Sequence, residues 1–116
     1  MMNNDDADKA FQALHDTQRA AQMLYMDLRD AGDSVGAANA RVRANRLQNE
    51  IDNLINRELA EWQADAEQVI PLLSKAATAA QKAVDKVEQD VQNAQKVVSA
   101  MKALDDAIAT AMKFLG

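Results

Sequence analysis

Helix breakers are almost missing from this chain. Its 116 residues contain three glycines and one proline: Gly32, Gly36, Gly116 and Pro71. The long stretches between them are rich in Ala, Gln, Glu, Lys, Leu and Met, all favourable helix formers. No stretch alternates apolar and polar residues with the β-branched and aromatic enrichment of a strand. The reading that follows is all-α, an antiparallel three-helix bundle of coiled-coil-like character with helices over 5–31, 35–70 and 72–115, in a single domain spanning 1–116.

Local signals place the ends of these helices. Asn4 or Asp5 is the expected N-cap of the first, with Asp6 and Asp8 in the first turn, where the helix dipole favours anions. Gly32 suits the left-handed position just past its end. Asp33 or Ser34 is the expected cap of the second helix, and Pro71, lacking an N–H, is read as the turn into the third, the alternative being a kink in one very long helix. In the first helix Ala7, Phe11, Leu14, Ala21, Leu24, Tyr25 and Leu28 fall on one face, with Gln18 interrupting. The second is weakly patterned at Val35, Ala38, Val42, Ala44 and Leu47. Its pattern strengthens through Ile51, Leu54, Ile55, Leu59, Trp62, Ala66, Val69 and Ile70.

The third stretch has the plainest periodicity. With Leu73 at heptad position a, every a position down to Leu115 is apolar, and d and e are apolar except at Asp90 and Asp105. A filled a/d/e face is wide enough to touch two neighbours, as in a three-helix bundle. Asp90 and Asp105 are expected to fix register or to lie at the edge of the stripe beside a basic partner, with at least one partly exposed. From Ala100 onward the opposite face also turns apolar, through Ala100, Ala103, Ala107, Ala109 and Phe114. In the antiparallel arrangement this end overruns the 32–36 loop by about two turns and lies near Met23, Tyr25 and Met26.

That underdressed end is the expected partner site, formed by Met101, Leu104, Ile108, Met112, Phe114 and Leu115 with Tyr25 and Met26. Flexible methionines are common on adaptable binding surfaces. The plainer reading of the same residues is internal packing or a homodimer seam.

Signals for chemistry are sparse. There is no cysteine and one histidine, which excludes thiol chemistry, disulfides and two-histidine metal sites. His15 has no nucleophile beside it and reads as a solvated helix-surface residue. Asp5, Asp6 and Asp8 lack the ligand ladder of a calcium loop, and Asp105-Asp106 and Glu58/Glu61 read as solvated carboxylates. Arg41, Arg43 and Arg46 form the one basic patch, but no aromatic residue is interleaved for base stacking, and Glu50 is placed to pair with Arg46. No catalytic residue, metal site or cofactor is therefore expected, and no enzymatic activity.

The net charge of −5 argues against nucleic acid as a partner. It is unevenly spread: −4 over 1–36, −2 over 37–71 and +1 over 72–116. No signal peptide or membrane span is visible, so a cytoplasmic location is expected and a membrane partner is not. The expected function is a non-enzymatic protein-interaction module of the immunity-protein, secretion-chaperone or assembly-adaptor type, with an acidic rim steering a basic protein partner. The alternatives are a self-assembling structural coiled-coil protein, with a possible homodimer, and a helical coat on a lipid or granule surface.

Overall fold

The first reversal of the chain is built as expected from its residues. Helix α1 (Asn4–Asp30) stops where Gly32 takes a φ of +85°. The Gly32 N–H donates to the Arg29 carbonyl (3.0 Å) and the Asp33 N–H to the Leu28 carbonyl (2.9 Å). This pair of bonds satisfies carbonyls that the helix end would otherwise strand. Asp33 then caps helix α2 (Ser34–Asn56): its Oδ1 accepts the Gly36 N–H at 2.9 Å.

The computed structural model describes residues 4–56 and 66–115, with side chains described for 8–53 and 70–113. Among the described residues there are four helices, one more than the periodicity predicts: α1, α2, α3 (Ala66–Gln89) and α4 (Ala94–Leu115). The all-helical expectation stands, and the division into three helices is corrected at two places.

The first correction concerns Pro71. It lies inside α3 and not at a turn. Pro71 is the sixth residue of α3, past the first four N–H groups that have no helical acceptor, so its missing N–H removes one i→i−4 bond near the start of a helix that continues for eighteen further residues. The expected core positions Leu54, Ile55, Leu59, Trp62, Ala66 and Val69, the carboxylates Glu58 and Glu61, and the cap and first-turn residues Asn4, Asp5 and Asp6 fall outside the described side chains.

The second correction is the break at 90–93. The rod expected over 72–115 is two helices joined by Asp90-Val91-Gln92-Asn93, a turn with neither Gly nor Pro. The Asp90 N–H donates to the Val87 carbonyl (3.0 Å), and Asn93 begins α4. The Asn93 Oδ1 accepts the N–H groups of Gln95 (3.1 Å) and Lys96 (3.3 Å), an N-cap that replaces helix continuation. Val91 packs against the core and anchors the turn.

Beyond this break the buried stripe rotates. In α3 it is Leu73, Ala77, Ala80, Val84 and Val87; in α4 it is Ala100, Leu104, Ala107, Ile108 and Ala111. The apolar residues at Ala100 and Ala107, which look like a second greasy face on a continuous rod, are the true inner face of a separate helix.

Two helical hairpins result, α1–α2 and α3–α4, packed side by side. Among the described residues α1 lies along α2 and α3, while α4 lies along α3 and α2; α1 and α4 are diagonal. One core cluster joins 20–28 of α1, 37–47 of α2, 80–87 of α3 and 100–108 of α4. The other joins Ala10, Ala13 and Leu14 with Ile51, Leu73, Ala77 and Ala111. Hence α1 runs parallel to α3, and α2 parallel to α4. Both short turns sit at one end of a body 46 Å long and 21 × 19 Å across. A helix over 72–115, roughly 65 Å at 1.5 Å per residue, does not fit that length.

Alanine fills much of the interior, including Ala10, Ala20, Ala21, Ala40, Ala80, Ala100 and Ala111. Small side chains let helix backbones approach closely, and Leu14, Leu24, Leu28, Leu47, Ile51 and Leu104 fill the space between them. Thr17 is buried among them, its hydroxyl donating to the Ala13 carbonyl at 2.9 Å.

Candidate functional site

The residues expected at a C-terminal partner site are not gathered on one surface. Leu104 and Ile108 are buried core residues. Met101 and Tyr25 are half-buried and pack against the same upper cluster. Met26 is 49% exposed near the end of α1 that meets the turns, and Met112 is 45% exposed towards the opposite end of the bundle. The side chains of Phe114 and Leu115 fall outside those described. The expected overrun past the 32–36 loop does not occur, because α4 starts beside that loop and runs away from it.

Two other surfaces stand out. The first is the outer side of α2. Its inward stripe is Ala37, Ala40, Ala44, Leu47 and Ile51, whereas Val35 and Val42 point outward, 72% and 55% exposed. A heptad apart, they share one face. Arg43 donates to Asp105 across α2 and α4 through Nε (2.8 Å) and Nη2 (3.0 Å). This pair fixes the register of two parallel helices. One heptad earlier, Val98 of α4 stands at the level of Gly36 and is 67% exposed. In the first half of α2 two valines thus face solvent while Ala37, Ala40 and Ala44 face the core.

The second is a groove between α3 and α4, close to their turn, with a volume of about 540 Å³. Ala79, Ala83 and Ser99 line it with small side chains, and Lys82, Lys86 and Lys96 rim it. Lys96 lies 3.9 Å from Asp90. Among the described residues Lys82 and Lys86 make no ion pair. The described acids of α3, Asp85 and Glu88, are on its other flank. Asp85 lines the α1–α3 groove with Asp16 and Arg19, and Glu88 meets Asp27. The helix therefore divides a basic flank from an acidic one.

Asp27 and Glu88 carry shifted carboxyl groups. Burial, then the charge of Asp30, raises Asp27 above the usual carboxylate range, a rise opposed by its hydrogen bond with Glu88. Burial, then the charges of Asp27 and Asp85, raises Glu88. The Asp27 Oδ2 is buried without a hydrogen-bond partner.

The arginine patch is largely turned to internal use. Arg43 also donates to the Asn39 carbonyl (2.9 Å). Arg41 and Arg29 lie 5.9 and 5.5 Å from the centre of the Tyr25 ring. The expected Arg46–Glu50 pair does not form, because Glu50 turns inward and is buried. Asp105 and Asp90 do lie at the edge of the stripe, each half-exposed beside a basic residue of the chain itself. His15 is exposed and stacks on Phe11. Among the described residues no group of ligand-type side chains is placed to hold a metal ion, and no helix is long and apolar enough to cross a membrane. Comparison with family models, curated proteins and solved structures finds no match.

Proposed function

We propose that the chain is a non-enzymatic protein-interaction module that offers outer helix faces to a protein partner. One observation carries the reading: α2 places alanine inside and Val35 and Val42 outside, with Val98 alongside on α4. Single exposed apolar residues are ordinary, but two on one face of α2 with a third exposed on the neighbouring helix offer a surface suited to burial by another molecule. This reading takes the contact surface to be the α2–α4 side and not the C-terminal end. A photo-crosslinking residue at Val42, used in the native host, is expected to give one discrete heterologous adduct that disappears with Val98→Lys. Adducts insensitive to Val98→Lys would refute the reading.

A second reading, self-association, draws on the same face, because Val35 and Val42 one heptad apart are self-complementary across a two-fold axis. It predicts an adduct of twice the chain mass and light scattering that rises with concentration. Scattering that stays monomeric throughout removes it.

A further inference from the structure

We infer that the groove between α3 and α4 is a docking site for an acidic helical segment of a partner protein. The inference rests on the protein-interaction reading and names what one surface of the module binds. Three features converge. Lys82 and Lys86 stand one helical turn apart, about 6 Å along α3, and neither has an acidic partner among the described residues. Lys96 faces them from α4. Between them Ala79, Ala83 and Ser99 leave room for a helix backbone to approach closely. A partner helix with carboxylates four residues apart repeats the spacing of Lys82 and Lys86. The third ammonium group meets its opposite edge. Lysine stems cover apolar surface while their charged ends reach the ligand.

The other flank of α3 narrows the class of ligand. An extended polyanion, such as nucleic acid or an anionic bilayer, also meets Asp16, Asp27, Asp30, Asp85 and Glu88 on the adjoining α1–α3 side. A single helix, about 10 Å wide, touches the groove alone.

The test uses the full chain, isotope-labelled, titrated with a capped alanine-based helical peptide bearing Glu-x-x-x-Glu on one edge. Amide shifts are expected to concentrate between Ala79 and Ser99. A peptide with Gln for Glu should bind about tenfold more weakly, consistent with the loss of two to three surface charge pairs. Lys82→Gln with Lys86→Gln should lose the same factor at unchanged thermal stability, and the Arg pair should retain binding. Equal binding of the two peptides, absence of binding, or shifts centred elsewhere overturns the inference. So does displacement by equimolar inorganic phosphate, which marks a small-anion site, or lysine-dependent binding to anionic vesicles, which marks a membrane surface. Failure here with the Val42 adduct intact defeats the groove and leaves the interaction reading standing. Loss of the adduct with peptide binding intact does the reverse.

Discussion

Replacing Glu88 with Gln is expected to stabilise the bundle at neutral pH. Asp27 and Glu88 meet where parallel α1 and α3 pack, with Asp30 and Asp85 adding charge of the same sign, and both carboxyls are raised. The folded state therefore holds protons at pH values where the unfolded chain has released them. A raised acid contributes stability that is present below its unfolded value and is lost as pH rises through its folded one. Where both groups are charged, their repulsion acts against folding. At about 4 Å two unit charges interact by roughly 1 kcal/mol in water and roughly 4 kcal/mol at a protein-surface dielectric. Glu88 is solvent-exposed, so the low end applies, about 1 kcal/mol after screening. The glutamine amide removes the repulsion and supplies a donor to Asp27. In a domain of this size that corresponds to a rise in Tm of about 3–6 °C.

Thermal melts followed by circular dichroism at about pH 5 and about pH 7.5 read the effect. The variant's advantage should be largest at the higher pH and shrink at the lower one, as the wild-type pair takes up its proton. Asp27→Asn should act in the same direction, and the double variant should gain less than the sum, since the two residues share one interaction. If Glu88→Gln melts at or below wild type at the higher pH, or gains equally at both pH values, the repulsion is not there.

Three further outcomes follow from the packing. Asn93→Ala removes the cap of α4 and should cost about 1 kcal/mol in denaturant unfolding, while Asn93→Asp should cost little; equal stability of all three would deny the cap. Leu104→Ala empties a fully buried site in the core cluster shared by all four helices and should cost about 3 kcal/mol; a surface-sized loss would show that Leu104 is not in the core. A double-mutant cycle on Arg43 and Asp105 should give a coupling of about 0.5–1 kcal/mol that weakens with salt, and a coupling of zero would deny the ion pair a part in holding the register.

The parts of this fold legible in the sequence are those where a local signal has a single physical meaning. Gly32 supplies the left-handed residue and Asp33 the cap, and the reversal between α1 and α2 follows from those two residues. Pro71 has two meanings: a proline can end a helix or sit inside one at the loss of a backbone bond, and here it sits inside α3. The 90–93 turn has no breaker at all. Its marks are Asp90 at an apolar position, Asn93 three residues on, and an apolar stripe that changes sides afterwards. Each mark alone is compatible with a continuous helix, and together they specify a cap and a new facing. That same turn hides the basic groove. Along an unbroken rod Lys82 and Lys96 stand two heptads apart, about 21 Å, and read as scattered surface charge. Folded back at Asn93, they face each other across Ala79, Ala83 and Ser99. In α2 the bulky valines attract the eye as core, but alanine suffices inside because α1 and α4 crowd close. Their outward position is set by what the neighbouring helices leave room for, which periodicity within one helix does not encode.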